Sequence, residues 1–149
     1  MASEDIPEPE GPLIGCNSFE TACLSSRIAQ AEDIDELGHV NNAVYVRWVQ
    51  DAAVGHWFAV APDDVASAHV WVAGRHEIDY RGEVKEGDEV EIRTWLGEVK
   101  GAQFARHTDI RIKGSKRPAA EALTWWVLVD AEKRRPRRVN AEMLALFGL

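Results

Sequence analysis

The residues most able to do chemistry in this chain lie together in one short stretch, positions 33–51. Two carboxylates, Asp33 and Asp35, precede Gly38 and His39, and an Asn-Asn pair follows before a run with helical spacing. The first turn of a helix carries unpaired backbone N–H groups and the positive end of the helix dipole. A carboxylate beside such donors can attack a carbonyl carbon or activate water for the attack, while the donors stabilise the oxyanion. This stretch is therefore the candidate site.

The residues after the Asn-Asn pair predict a buried helix over 44–59. Aliphatic and aromatic side chains recur there every three or four positions, and the apolar stripe is too wide for a helix exposed on one side. Asn41 and Asn42 are both suited to cap its N-terminus. Tyr45 is expected in the core, with substrate contact as the alternative. Asp51 lies beside the apolar stripe and needs a partner, either a backbone group or a group at a subunit interface.

Beyond the helix, the apolar pattern changes to a period of two, which is typical of strands. Pro62 and the two aspartates after it predict a loop between the two patterns. The short connections between the later strands indicate antiparallel neighbours. The sequence therefore predicts an α+β fold, with one helix against one curved antiparallel sheet. The predicted strands span 19–30, 69–80, 89–99, 103–113 and 119–130, and a short last helix spans 141–147.

Length and composition are those of one globular domain. The chain has 149 residues, of which 46% are hydrophobic, and this is enough to bury a core. Residues 1–15 are acidic and rich in proline, so we predict a disordered lead-in there and a single domain over 16–149. The lead-in lacks the basic and apolar parts of a signal peptide. No apolar run reaches the roughly 20 residues that span a bilayer, so membrane insertion is not expected.

Charge and cysteine content narrow the expected partners and compartment. The net charge of −8 argues against general nucleic-acid binding. Basic residues are concentrated at 133–138, which indicates either a site for a small anionic ligand or a solvated turn. Cys16 and Cys23 have no matching histidine and cysteine cluster, so no metal site is expected. We interpret them as reduced thiols in a cytoplasmic protein, because stable disulfides are rare in the cytosol.

The stretch around Asp35 resembles the hotdog-fold thioesterases, in particular the acyl-CoA thioesterases related to 4-hydroxybenzoyl-CoA thioesterase. The shared pattern is Asp35-x-x-Gly38-x-Val40, with Tyr45 ten residues after the aspartate. The resemblance extends over about 19–147, nearly the whole chain. It implies an α+β hotdog fold, in which a curved antiparallel sheet wraps around one long central helix.

The same resemblance implies roles for the site residues. Asp35 would be the nucleophile or the general base on the thioester. A backbone N–H at the helix start, at Asn42 with Asn41 beside it, would polarise the thioester carbonyl. Gly38 would let the backbone approach the substrate closely. His39 would orient the substrate or assist proton transfer, with a hydrogen bond to the backbone as the alternative.

A second family motif bears on the mechanism. The segment resembles the plant acyl-carrier-protein thioesterase motif Asp-x-Asn-x-His-Val-Asn-Asn, and residues 39–42 match its last four letters. The catalytic asparagine of that motif falls on Leu37, which weakens an asparagine–histidine mechanism and favours Asp35. The hotdog hydratase motif, Asp-x-Asn-Pro-x-His, fits less well. His39 lies four residues after Asp35, and the Asn-Pro pair is missing.

For function, the resemblance implies hydrolysis of an acyl-CoA thioester without a metal or cofactor. The protein would work as a homodimer or a tetramer, with the active site between subunits. The basic segment 133–138 would be a candidate for binding the phosphates of coenzyme A. The alternative is a non-catalytic hotdog module that binds acyl-CoA or acyl-carrier protein, and the presence of Asp35 in its motif argues against it.

Overall fold

The computed structural model describes residues 5–149. Its five strands and three helices follow the predicted order, with one helix added after the central one. A single 3-10 turn, Ala31–Asp33, precedes that central helix. In chain order the elements are β1 Cys23–Ile28, α1 Asn42–Val60, α2 Asp63–Ala68, β2 His69–Tyr80, β3 Glu89–Lys100, β4 Gln103–Ile112, β5 Ala120–Asp130 and α3 Ala141–Leu146.

The strands form one antiparallel sheet in the order β1-β3-β4-β5-β2, so β1 and β2 are its outer strands. Alternation along β3 shows why one face of this sheet is buried. Val90, Ile92, Thr94 and Leu96 are buried, and the residues between them are only partly so. Side chains that alternate in this way place every second residue on the same face. The predicted α+β arrangement, one helix on one antiparallel sheet, is confirmed.

Helix α1 packs its wide apolar stripe against that face in two clusters. Near the helix start, Tyr45 and Trp48 pack with strand residues such as Ile92. Near the helix end, Trp57 packs with Phe104 and other aromatic side chains. Full burial of a large apolar side chain contributes roughly 1.5–3 kcal/mol, so these contacts hold the helix in place. The start of α1, where the candidate site lies, is thereby fixed against the sheet.

Three element boundaries differ from the prediction. Helix α1 begins at Asn42, two residues earlier than predicted, because Asn41 supplies the cap. The segment Asp63–Ala68 forms the short helix α2, where the sequence predicted only a loop. Strand β1 is limited to Cys23–Ile28, shorter than the predicted 19–30.

The segment before β1 does not match the predicted disordered lead-in over residues 5–15. Glu10 donates its N–H to the Leu24 carbonyl, 2.7 Å away, and Gly15 donates to the Phe147 carbonyl at the same distance. The Leu13 carbonyl lies 2.6 Å from the His56 Nε2 atom on α1. Hydrogen bonds of backbone groups therefore hold the segment in place, and its charge and proline content do not indicate these bonds. Residues 1–4, the rest of the lead-in, lie outside the described residues.

Two further features bear on the expectations from sequence. Cys16 and Cys23 are both buried, and neither forms a disulfide. Of the helices in residues 5–149, none has the length and apolar character needed to cross a membrane.

Candidate active site

A tight turn between Ile34 and Val40 positions Asp35 in front of helix α1. The two ends of the turn form an isolated antiparallel bridge. Inside it, the Asp35 N–H donates to the His39 carbonyl at 3.1 Å, and the Gly38 N–H donates to the Asp35 carbonyl at 3.0 Å. Gly38 has φ +86°, a backbone conformation that residues with a side chain rarely adopt. The glycine is thus required for the turn, and the turn fixes the aspartate.

Asp35 keeps one carboxylate oxygen free. Its Oδ1 atom accepts the Leu37 N–H at 2.9 Å, which orients the side chain. No hydrogen bond or ion pair engages its Oδ2 atom within residues 5–149, and the residue is only half-buried. A carboxylate held in this way is oriented but still has lone pairs for a substrate or a water molecule.

Asp33, two residues earlier, is a structural partner instead. It is 5% exposed, and both of its carboxylate oxygens are occupied. The Oδ2 atom accepts the Gln30 N–H at 2.9 Å, and the Oδ1 atom lies 3.1 Å from the Arg47 Nη2 atom. The two aspartates therefore have separate roles, with Asp33 holding the 3-10 turn and Asp35 facing outward.

The start of α1 leaves a backbone donor free beside this turn. Asn41 is the N-cap, and its Oδ1 atom accepts the Ala43 N–H at 2.9 Å. The Asn41 carbonyl accepts the Val44 N–H at 2.9 Å. In the part of the chain that the structure describes, no acceptor engages the Asn42 N–H. An unpaired donor at a helix N-terminus can stabilise a developing negative charge.

Tyr80, at the end of β2, also reaches the helix start. Its hydroxyl donates to the Asn42 carbonyl at 3.2 Å, and its ring centroid lies 5.6 Å from that of Tyr45. Tyr80 is 42% exposed. The 38 residues between Asn42 and Tyr80 explain why no local pattern indicated the contact.

Tyr45 and Asp51 have structural contacts. Tyr45 is 2% exposed and lies in the core, where burial raises the pKa of its hydroxyl. Asp51 forms an ion pair with Arg27 of β1, with 2.8 Å between the Oδ2 and Nη1 atoms. Nine residues separate Asp51 from Asn42, which is about 14 Å along a helix. The structure does not bring Asp51 to Asp35, and its partner is the Arg27 side chain on β1 rather than the predicted backbone or interface group.

His39 lies at the edge of the site. Its Nε2 atom is 3.9 Å from a carboxylate oxygen of Glu83, a contact that becomes an ion pair only when the imidazole is protonated. The His39 side chain is 28% exposed, so it remains accessible. Neither its ring nor the Asn41 side chain hydrogen-bonds the Asp35 carboxylate in the described residues. Residues 5–149 contain no group of three or more His, Cys, Asp or Glu arranged to hold a metal.

A cavity of about 280 Å³ lies at the other half of α1. Arg106 of β4 lines it, and the Arg106 Nη1 atom lies 3.0 Å from the His56 Nδ1 atom of α1. Burial and the charge of Arg106 lower the pKa of His56 to about 4. No sequence pattern indicated this pair, whose members lie 50 residues apart. Most of the wall is aromatic: Trp57, Phe58, Trp71, Phe104, Trp126 and Phe147.

Comparison with known protein families identifies the superfamily of this chain. The family model that describes the thioesterase-like superfamily matches residues 29–147, which include the whole turn, α1 and the sheet face beneath it. The chain belongs to the thioesterase-like superfamily. Thioester hydrolysis is therefore its reaction class, and the predicted thioesterase resemblance is confirmed. A search of curated proteins found no match.

Solved structures show the same fold for this thioesterase-superfamily chain. The probable thioesterase YbaW from Escherichia coli is 20% identical, with a TM-score of 0.71 over 83% of this chain and 94% of that one. Slr0204 from Synechocystis, a 1,4-dihydroxy-2-naphthoyl-CoA thioesterase, is 14% identical, with a TM-score of 0.72 over 83% and 93%. The PA5185 protein from Pseudomonas aeruginosa is 16% identical, with a TM-score of 0.77 over 89% and 94%. The predicted hotdog fold is confirmed.

Proposed function

We propose that this protein hydrolyses an acyl-CoA thioester, with Asp35 as nucleophile or general base. The observation that carries the proposal is the pairing of one oriented carboxylate with one free backbone donor. The Asp35 Oδ2 atom has no partner among residues 5–149, and the same holds for the Asn42 N–H at the start of α1. The two groups supply the base and the oxyanion donor that acyl transfer requires.

In the proposed reaction, the thioester carbonyl oxygen accepts a hydrogen bond from the Asn42 N–H. The Asp35 carboxylate then attacks the carbonyl carbon, or it takes a proton from a water molecule that attacks. Either route breaks the carbon–sulfur bond, releases the thiolate of coenzyme A and yields the free acid after water is consumed. Gly38 gives the substrate room beside the turn, because it presents no side chain there.

The proposed assembly is a homodimer, or a tetramer of two such dimers, joined along β2. One edge of β2 has no strand beside it in the described part of the chain. Val70, Val72 and Tyr80 on this strand are 46%, 49% and 42% exposed. A long outer strand with exposed apolar residues is an edge on which a second chain can pair.

The basic segment 133–138 is proposed to bind the phosphates of coenzyme A, because its residues are exposed and close to one another in the chain. Its turn is held by Asp130, whose Oδ1 atom accepts the N–H groups of Glu132 and Lys133 at 3.0 and 2.8 Å. For the compartment we propose the cytoplasm, where two buried free cysteines remain reduced.

A panel of acyl-CoA thioesters with a thiol-trapping reagent tests the reaction. Wild-type protein should release coenzyme A from at least one member. Asp35→Asn should lower kcat by at least about 100-fold, the range expected for loss of a positioned acid–base group. The asparagine still accepts the Leu37 N–H, so the turn should persist.

Glu36→Gln is the matched control, since Glu36 is the exposed carboxylate next in the chain. It should leave kcat within about twofold of wild type. Equal rates for the Asp35 variant and wild type would rule out the role given to Asp35. Tight acyl-CoA binding without thiol release would instead indicate a binding module.

A further inference from the structure

Arg106 is a buried cation that has no carboxylate partner. It is 4% exposed and lies on the face of β4 that packs against α1. Both of its hydrogen bonds use the Nη1 atom, to His56 Nδ1 at 3.0 Å and to Thr94 Oγ1 at 3.1 Å. No acidic side chain of residues 5–149 forms an ion pair with it. Buried charges in proteins are normally paired, so an unpaired one needs an explanation.

The groups around Arg106 are neutral. The His56 Nε2 atom lies 2.6 Å from the Leu13 carbonyl, which can only accept, so Nε2 carries the hydrogen and Nδ1 accepts from Arg106. The low pKa of His56 keeps this ring uncharged at neutral pH. Burial raises the pKa of Cys16 and raises that of Cys23 to about 11, so both thiols stay protonated. None of these neighbouring groups therefore carries a negative charge that would neutralise the Arg106 guanidinium.

Among residues 5–149, no aspartate or glutamate lines the cavity beside Arg106. Two of its wall residues, Trp71 and Trp126, have buried indole N–H groups for which the described residues supply no acceptor. A cavity of about 280 Å³ is close to the size of small-ligand pockets. An apolar cavity with a buried cation fits a molecule with an apolar body and an anionic end.

We infer that the acyl group of the substrate ends in a carboxylate, and that Arg106 binds this carboxylate inside the cavity. The inference rests on the proposed thioesterase function and specifies its substrate class. A guanidinium pairs with a carboxylate through parallel N–H donors, and Arg106 still has its Nε and Nη2 groups free of partners among residues 5–149. The aromatic wall then encloses the methylene chain.

Pairing through β2 explains how the cavity and the proposed carboxylate base come together. Within one chain, Asn42 and Val54 of the cavity wall are twelve residues apart on α1, about 18 Å. A two-fold axis at the free edge of β2 places the start of each strand beside the end of its partner. Val70 and Trp71 near the start of β2 line the cavity, and Tyr80 at its end contacts the helix start. The cavity of one protomer then faces the Asp35 turn of the other.

Binding to free carboxylates tests the cavity without any hydrolysis. Hexanoate and hexanamide have the same chain and differ in charge, so each is titrated into wild-type protein with calorimetry or thermal shift. Hexanoate should bind at least tenfold more tightly than hexanamide. Arg106→Met should remove this preference, while Arg117→Met, which replaces an exposed arginine in the turn between β4 and β5, should keep it.

Turnover tests the link to the acyl group. Adipoyl-CoA and hexanoyl-CoA share a six-carbon chain, and only the first ends in a carboxylate. The ratio of their kcat/KM values should favour adipoyl-CoA at least tenfold in wild type and in Arg117→Met, and should reverse in Arg106→Met. The comparison of two substrates on wild-type protein remains decisive if the Arg106 variant does not fold.

The outcomes separate the two proposals. If both thioesters are hydrolysed at similar kcat/KM, the substrate class is wrong and the thioesterase function stands. If hexanoate binds selectively but adipoyl-CoA is not preferred, the anion at Arg106 is a separate ligand and the inference about the acyl group is overturned. If no thioester of any kind is hydrolysed, the proposed function fails, and charge-selective binding by Arg106 still supports the anion site.

Discussion

Two aspartates two positions apart show how hydrogen bonding assigns roles to identical side chains. Asp33 uses both carboxylate oxygens inside the fold, and Asp35 uses only one. A carboxylate whose acceptor sites are filled cannot take part in chemistry without loss of those bonds. One with a free oxygen can, at no structural cost. The family resemblance implied a catalytic role for Asp35, and the hydrogen bonds leave Asp35, not Asp33, with a free carboxylate oxygen among residues 5–149.

The first prediction at this scale is a loss of stability on acidification caused by His56. Its pKa is about 4 in the folded protein, against 6.5 as the ordinary value, because burial and Arg106 disfavour the charged ring. Between these values the unfolded chain binds more protons, so the free energy of unfolding falls as the pH falls through this window. The His56 contribution to that loss should be roughly 2–3 kcal/mol between pH 7 and pH 4.5.

Urea denaturation at the two pH values measures this loss, and His56→Gln provides the comparison. The variant lacks the titrating ring, so its unfolding free energy should fall less than that of wild type over the same interval. Equal losses in the two proteins would show that His56 is not the group responsible. The pair of His56 and Arg106 could not be predicted from the sequence, because its members come from a helix and a strand far apart in the chain.

The sequence predicted best those helices and strands in which apolar residues recur at a regular spacing. The strand pattern of β3 and the apolar stripe of α1 each repeat within a few residues, so pattern and structure agree. Helix α2 has no buried residue and therefore no amphipathic pattern to detect. The segment over 5–15 is held largely by backbone hydrogen bonds, which side-chain composition does not reveal. The sequence therefore missed a helix without an apolar face and a segment held by contacts with distant parts of the chain.

At the element scale, a prediction concerns the junction of α3 with the segment before β1. Gly148 has φ +72°, and a Cβ atom there would lie 2.8 Å from Ile14 Cβ and 3.0 Å from Gly15 N. Gly148→Ala should lower the free energy of unfolding by about 2 kcal/mol, since it adds left-handed strain and a clash with backbone.

Gly114→Ala is the matched control, because Gly114 has φ +86° and nothing within 4 Å of its added Cβ atom. It should cost about 1 kcal/mol, the conformational part alone. Chemical denaturation of both variants gives the difference. Equal costs would show that the contact between the two segments carries no free energy.

At the scale of the whole molecule, the free edge of β2 is the surface on which the proposed dimer would form. The opposite edge of the sheet is partly covered, since Glu10 pairs with Leu24 of β1. The β2 edge has no such cover in the described chain, and it carries exposed valines. The proposed dimer therefore uses β2 rather than β1, and each of its sites would take groups from both protomers.

Val72→Asp should weaken this dimer, because it places an unpaired carboxylate in an interface formed by exposed valines. Sedimentation analysis should show at least a tenfold rise in the dimer Kd of this variant. The activity per chain of the variant should also fall as the protein is diluted. Ile28→Asp is the control, since Ile28 is a 53% exposed residue on the outer strand β1. An unchanged Kd for the Val72 variant would contradict pairing through β2.

β2 comes second among the strands along the chain but last in the sheet, and this order bears on how the chain folds. Its pairs with β5 span from 40 residues, for Tyr80 with Ala120, to 61 residues, for His69 with Asp130. The hairpins of β3, β4 and β5 close over much shorter loops, so we expect them to form before β2 docks. Docking of β2 adds Trp71 to the cavity wall, and it also forms the free edge of the sheet. A newly made chain therefore acquires its cavity wall and its surface for assembly in the same late folding step.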